Sequence, residues 1–530
     1  MKRNRLFLLA ALLPALAMQA QTSYEASALL DAELNGTARY VGMGGAMSAL
    51  GADMSTMSTN PAGTALYRSW DAAFSFGGNG VTQRTSSNTS NVRSFDPYGS
   101  FDNGGVVIAN KRTNEGILRF VNFGFNYHKV KRFDGKMGMA SNLGGQFSQT
   151  GQMAWQAYEN LKVLESDFNP ENREGFFHNN FYKEDWVGWL TLMGAQGLLI
   201  DASALDEELA SEGKNYYPSF DNNYSEVVTG GIDAYDFNIS FNFADAVYLG
   251  ATLTKYDVDR KVESTYSEIF ADGNYTLQNF YRTTGSGYDF KLGVILRPFA
   301  ESSFRVGVSA TTPTIYNLRD YNSAILNSTI SFTDNNTGEQ WTESYTVDTY
   351  DKNAFGGDCY TDYTMYSPTK LNVSLGGTIG SSWALGAEYE YMNYATTKLY
   401  YDNGMENKDM NAHTGENFNG KHTLRLGAEK TFGTFYTRLG YNYQAGGYKK
   451  DAWKMIPINS VQTNTAYANL KSTQNFTFGI GFRGDVFYAD AALLYSTQKA
   501  DFYPFENIEM QATSLKRNLV KGMMTVGVRF

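Results

Sequence analysis

The side chains best able to do covalent or metal chemistry are scarce in this chain. Its histidines are His128, His178, His413 and His422, and its one cysteine is Cys359. A lone cysteine forms no internal disulfide and cannot by itself hold a metal or iron–sulfur cluster. No HExxH, CxxC, GxSxG or P-loop spacing occurs. The expectation is therefore a protein that is not an enzyme, with no catalytic residue, no metal and no cofactor. The histidines and tyrosines retain one inorganic possibility, axial ligation of haem iron.

The remaining chemistry is that of charge set against apolar surface. Asp236-Phe237-Asn238-Ile239-Ser240-Phe241-Asn242-Phe243 alternates strictly, and Phe476-Thr477-Phe478-Gly479-Ile480-Gly481-Phe482 repeats the pattern. Such alternation is the signature of a strand with one apolar and one polar face. If the apolar face meets lipid, then Asp236, Lys291, Arg297, Arg305, Arg425, Glu429, Arg438, Arg483 and Arg529 face a lumen. The converse placement would cost roughly 2–4 kcal/mol for each Arg or Lys at mid-bilayer. Most of these charges are expected to form an ion-paired wall. Arg425 and Arg438, on adjacent strands, are the candidates to meet a ligand carboxylate.

Strands must carry these residues, and fourteen segments qualify: 70–81, 104–111, 117–130, 231–244, 246–260, 282–297, 302–313, 368–380, 382–398, 420–431, 433–446, 473–484, 486–499 and 517–530. The connections alternate. Short turns fall near 111–116, 245, 298–301, 381, 432 and 485. Long loops cover 82–103, 131–230, 261–281, 314–367, 399–419, 447–472 and 500–516. An even strand count with short periplasmic turns and long extracellular loops is the pattern of outer-membrane barrels. The fold expected is all-β, a fourteen-stranded antiparallel transmembrane β-barrel over 70–530.

Composition agrees. The chain holds 37 Tyr, 35 Phe and 52 Gly but only 10 Pro. Its mean hydropathy of −0.39 is low, as expected when lipid-facing and lumen-facing residues alternate. Residues 1–20 read as a signal peptide: Lys2, Arg3 and Arg5 precede an apolar Leu6–Ala17 run too short to span a bilayer, with cleavage after Ala20. Net charge is −10, and about −13 without that segment. An acidic chain is a poor partner for nucleic acid. The last segment, Met524 to Phe530, ends on an aromatic residue, the signal expected for the barrel-insertion machinery. Both termini are expected in the periplasm.

Two regions lack the alternation. Residues 150–210 read as helical, making 131–230 a long, partly helical extracellular loop. In it Trp155, Tyr158, Trp186, Trp189 and Leu190 are expected to form an exposed apolar surface that collects ligand. Residues 21–69 precede the first strand. They contain Thr37-Ala38-Arg39, Gly42-Met43-Gly44-Gly45-Ala46, Ala52-Asp53 and Asn60-Pro61-Ala62-Gly63. Glycines at 42, 44 and 45 permit close backbone approach, and Pro61 biases Asn60 to extended geometry. A fourteen-stranded lumen is too wide for its own side chains to fill, so a segment here can serve as a plug.

This pattern resembles the hatch of the FadL/TodX family of outer-membrane transporters of hydrophobic compounds, whose barrels have fourteen strands. Ala310-Thr311-Thr312-Pro313-Thr314 and Ser367-Pro368-Thr369 also resemble family segments. The resemblance implies passive uptake of a hydrophobic small molecule, such as a long-chain fatty acid, across the outer membrane of a Gram-negative cell. It implies a hatch at 21–69, gated around Gly42, Gly44, Gly45, Asn60, Pro61, Ala62 and Gly63, and lateral exit through the barrel wall. Membrane lipid and lipopolysaccharide are the surrounding partners. Two alternatives stand beside this reading: a haem receptor, and a structural or adhesive barrel without transport.

Overall fold

The computed structural model describes residues 21–112, 116–163, 180–200, 217–334, 336–351, 359–507 and 509–530. The expected signal peptide lies outside them. No helix among these residues is long and apolar enough to cross a membrane.

The chain begins with a lumenal segment holding helices α1 (Ser23–Ala28) and α2 (Ala38–Gly42) and two 3-10 turns, η1 (Met54–Ser58) and η2 (Pro61–Leu66). The wall follows. β1 (Asp71–Ser86) and β2 (Asn91–Lys111) form a hairpin. β3 (Leu118–Arg132) and β4 (Gly135–Phe147) form one stave, because both pair with β5 (Ser219–Phe243). β6 (Val247–Phe270) and β7 (Gly273–Leu296) come next. β8 (Arg305–Thr311) and β9 (Ile315–Thr333) share a stave, and β10 (Gln340–Asp348) folds back on β9. β11 (Cys359–Tyr366) and β12 (Lys370–Ile379) form the neighbouring stave. β13 (Trp383–Asn393) with β14 (Lys398–Tyr401), then β15 (Gly420–Phe432), β16 (Phe435–Gln444), β17 (Tyr467–Arg483), β18 (Phe487–Tyr503) and β19 (Thr513–Arg529) complete the wall. β19 pairs with β1 from Asp71↔Arg529 to Ser86↔Ser514, which closes a fourteen-stave antiparallel barrel.

Two adjacent staves break at their prolines. Pro313 and Pro368 have no N–H for the ladder. The gap is mended locally: Ser367 Oγ accepts from Thr314 N–H at 2.8 Å, and Ser367 N–H donates to the Thr314 carbonyl at 3.0 Å.

The predicted alternation holds across the belt. Phe237 is 53% exposed, while Asp236, Ser240 and Asn242 are fully buried. Leu249, Leu253, Phe290, Leu292, Leu424, Leu426, Phe478 and Ile480 also point outward.

Above the belt the strands continue, which corrects the expected loop boundaries. β5, β6 and β7 run for 25, 24 and 24 residues, where a tilted strand needs roughly 9–11 to span. Most of 261–281 and 82–103 is therefore ladder. The reason is a change of phase. Within the belt the apolar residues of β6 are Leu249 and Leu253, facing out. Beyond Lys255 they are Val258, Val262, Tyr266 and Phe270, facing in. The outer face there meets water and carries ion pairs such as Lys255–Asp257, Arg282–Asp259 and Lys261–Glu263.

Those inward apolar residues meet a helical cap. Helices α3 (Gln149–Val163) and α4 (Trp189–Gln196) come from the expected helical insertion. They pack Met153, Trp189, Leu192 and Met193 against Tyr266, Phe270, Tyr275 and Leu326. The parts of that insertion at 164–179 and 201–210 lie outside the described residues. A fifth helix, α5 (Lys408–Asn417), lies between β14 and β15.

Leu426→Arg places a charge on the lipid face. It should destabilise the barrel by about 2–4 kcal/mol, read as a shifted unfolding midpoint in denaturant with the purified protein in lipid.

Candidate functional site: hatch, groove and lumen cavity

The hatch is seated backbone to backbone. A Cβ placed on Gly440 would lie 2.1 Å from the Gly44 nitrogen, and one on Gly427 would lie 2.4 Å from the Met43 carbonyl oxygen. At Gly386 it would meet the Ala46 oxygen at 2.1 Å, at Gly250 the Pro61 carbonyl carbon at 2.2 Å, and at Gly293 the Asn60 Oδ1 at 2.0 Å. Bare glycine on the wall is what lets the plug fit. Gly44 and Gly45 also need it on their own side, with φ of +63° and +82°. Gly42 packs on Gly479 and Arg438.

The Asn-Pro-Ala-Gly segment is a helix start pressed on the wall. Asn60 caps η2, its Oδ1 accepting from Ala62 N–H at 3.1 Å, while its Nδ2 donates to the Val294 carbonyl at 3.3 Å. Pro61 occupies the first helical position, where no donor is needed. Ala62 is fully buried, and Gly63 N–H donates to the Asn60 carbonyl.

The structure places Arg425 and Arg438, the candidates to meet a ligand carboxylate, among the ion pairs of the wall. Arg438 is fully buried and bonds Glu429 and Asp490, each at 2.6 Å. Glu429 also receives Arg39 from the hatch in a two-pronged contact at 3.1 and 3.2 Å. Arg425 is held by Glu388 and Glu390, and Glu388 accepts from the hatch Ser48 N–H. Both arginines belong to the ion-paired wall that grips the plug. Arg305 donates to the hatch carbonyl of Leu50. Arg297, expected in the lumen, instead ties down a short turn through the carbonyls of Ala300 and Ser302.

The hatch runs from the short-turn end of the barrel to the long-loop end. Trp70 exchanges backbone hydrogen bonds with Phe530 at the short-turn end. Residues 23–28 sit at the long-loop end. There Ser23 Oγ meets His413 Nδ1 at 2.8 Å, Ser27 meets the Tyr448 hydroxyl at 2.7 Å, Tyr24 donates to Asn469 at 2.6 Å, and Glu25 pairs with Lys454 at 2.7 Å. Burial pushes the His413 imidazole down to about 4. Its ring is held between Ser23 and an edge-on contact with Trp453.

Two cavities lie either side of the loop from Gln444 to Tyr467. Outside is a groove of about 410 Å³, walled by Trp155 of α3 and by Trp453, Met455, Ile456, Pro457 and Ile458. Of the expected collecting surface only Trp155 lines it. Trp189 and Leu190 are buried in the cap, Trp186 packs on Phe181, and Tyr158 is half-buried outside the groove. Inside is a cavity of about 210 Å³ lined by Tyr24, Tyr224, Tyr281, Tyr448, Tyr467 and Arg260, among others. The Arg260 guanidinium lies 5.5 and 5.9 Å from the Phe133 and Tyr281 ring centres. It forms no ion pair among the described residues. His128 pairs with Asp236 in the wall, and His422 meets Tyr389 on the outside. Neither these nor His413 lines either cavity. His178 lies outside the described residues.

The wall also has a window. β2 pairs with β3 only from Asn103↔His128 to Lys111↔Phe120. Above that, residues 97–102 and 129–134 face each other without a ladder; the gap is crossed by side chains, Arg132 lying 4.9 Å from the centre of the Tyr98 ring, and Asp96 meets Lys136 beyond it. The freed carbonyls are taken by the hatch: Glu33 N–H donates to Val130 and Asn35 Nδ2 to Lys129, each at 2.9 Å. Residues 33–35 thus stop the window from inside.

Two outcomes test this geometry. Gly440→Ala should unseat the hatch and raise single-channel conductance in planar bilayers, while Gly522→Ala, where a Cβ meets open space, should not. The second concerns the start of α3, where the Ser148 hydroxyl and the Gln149 N–H donate to Glu268. Burial raises the Glu268 carboxyl from 4.5 to about 7. The folded state then holds this proton more tightly than the unfolded chain, so α3 docking weakens as pH rises from 4.5 through 7. Hydrogen exchange of the α3 amides should be faster at pH 8 than at pH 5, and Glu268→Gln should abolish the difference.

No protein-family model matches the chain, and no curated protein matches it in sequence. Solved structures match its fold. A Pseudomonas aeruginosa FadL homologue aligns at 11% identity over 94% of this chain and 99% of its own, with a TM-score of 0.50. The Pseudomonas putida toluene transporter TodX aligns at 10% identity over 94% and 100%, with a TM-score of 0.46. The Ralstonia pickettii toluene transporter TbuX aligns at 12% over 94% and 99%, with 0.43. The expected resemblance therefore holds at the level of fold: this chain is a β-barrel built like a FadL homologue, fourteen antiparallel staves around an N-terminal plug.

Proposed function

We propose that this barrel takes up hydrophobic small molecules passively, without an energy source, with its long loops outside the cell and its short turns in the periplasm. One observation carries the reading: an aromatic-walled outer groove and a tyrosine-lined lumenal cavity lie back to back across a single loop. Large apolar side chains open to water next to lipopolysaccharide are costly unless something binds them. The groove collects the molecule, and the inner cavity holds it. Arg260, a cation without an ion-pair partner among the described residues, suits an amphiphile with an acidic head such as a long-chain fatty acid. The window between β2 and β3 is the lateral way out. It opens beside outward-facing Phe101 and Tyr127, whose stacked rings lead to the bilayer, and it clears when residues 33–35 leave it.

The double variant Trp155→Ala/Trp453→Ala should slow uptake of the neutral hydrophobic dye N-phenyl-1-naphthylamine several-fold in intact cells, with the folded barrel unchanged on unheated gels. Unchanged uptake would remove the groove from the route. Rates for the wild type no higher than for cells lacking the protein would sink the transport reading itself.

A further inference from the structure

The loop that separates the two cavities also holds the plug. Trp453, Met455, Ile456, Pro457 and Ile458 wall the groove. Lys454, between the first two, turns the other way and is buried; its ammonium donates to Glu25 of α1 at 2.7 Å and to the carbonyl of Asn464 at 2.7 Å. Gln462, Asn464, Ala466 and Tyr467, further along the same loop, line the inner cavity together with Tyr24 and Glu25. Six residues beyond Glu25 begin the hatch contacts that lead to the window: Asp31 with Lys131 and Lys421, then Glu33 and Asn35 with the bare edge of β3.

We propose that the Glu25–Lys454 pair is a latch by which the groove controls the window. Resting on the uptake reading above, it makes the hatch carboxylate a built-in occupant of the cation site at the inner cavity's edge. The pair is worth little as a stabiliser, because burying both charges costs about what their attraction returns. It is, however, strongly directional: with one partner removed, the other is left buried and uncompensated, and the segment carrying it moves to reach water. Burial disfavours the Glu25 carboxylate, yet Lys454 holds its titration below the usual range, so the pair stays charged. A molecule wedged between Trp453 and Met455 shifts the backbone that carries Lys454. A ligand carboxylate entering the inner cavity competes with Glu25 for the same ammonium. Either event frees α1, and the chain to residue 35 follows.

The test uses the full-length protein in cells, with Glu25→Gln, Lys454→Met and the exchanged pair Glu25→Lys/Lys454→Glu. Two readouts are taken: dye uptake, and maleimide labelling of Asn35→Cys in a Cys359→Ser background. Each single variant should speed dye uptake several-fold and expose position 35 to label. The exchanged pair should restore slow uptake and protection. Labelling and uptake unchanged in both single variants, with the barrel folded on unheated gels, would overturn the latch while leaving the uptake reading intact. Labelling that rises as expected, with no uptake by any variant or by the wild type, would support the latch and overturn the uptake reading.

Discussion

Everything in this molecule answers to the width of its own lumen. Fourteen staves enclose more space than their inward side chains can fill, so a separate stretch of chain must occupy it. Side chains from both sides would hold that stretch too far from the wall to seal. The solution is contact between backbones. Wall glycines at 250, 293, 386, 427 and 440 lie where any Cβ would collide with the hatch. The hatch supplies glycines and a proline-started turn at matching points. The close fit then brings Arg39 within reach of Glu429 and Ser48 within reach of Glu388.

Those buried charges are better understood as registration marks than as a source of stability. An ion pair out of water gains little over a well-packed apolar contact, but a misplaced one is expensive. Arg39, Glu429, Arg438, Asp490 and Arg483 form one connected chain of such pairs. A plug rotated or slid by one residue would strand Arg39 in this chain and take Ser48 from Glu388. The wall therefore favours one placement, and the arginines that looked suited to a ligand are paired with wall carboxylates beside the hatch.

Much of the architecture was legible because lipid imposes a strict rule. The alternation of Asp236–Phe243 and Phe476–Phe482 reports a face that must be apolar, and fourteen such segments gave the stave count. The rule lapses where the outer face meets water. There Val258, Val262, Tyr266 and Phe270 keep period two in the opposite phase, so a search for outward apolar residues reads β5–β7 as ending early. The hatch was legible from Gly42–Ala46 and Asn60–Gly63. Its docking partners were not, since a wall glycine looks like any other strand glycine until the chain facing it is known. Trp453 to Ile458 form an apolar run in a nominal loop, a signal that could have found the groove. Arg260 had none, because a strand arginine looks like any other until the cavity around it is known.

The hatch also sets the order of assembly. Ala38 N–H donates to Thr525, Gly42 rests on Gly479, and Arg39 reaches Glu429, so residues 38–42 find these partners in the later strands, β15 to β19. Contacts so distant in sequence form late. That part of the hatch must wait while the later staves are laid down, and must be inside before β19 meets β1. The final seam is therefore a point of no return: a barrel that closes on an empty lumen is complete in its ladder and defective in its seal, and only by reopening could it be mended.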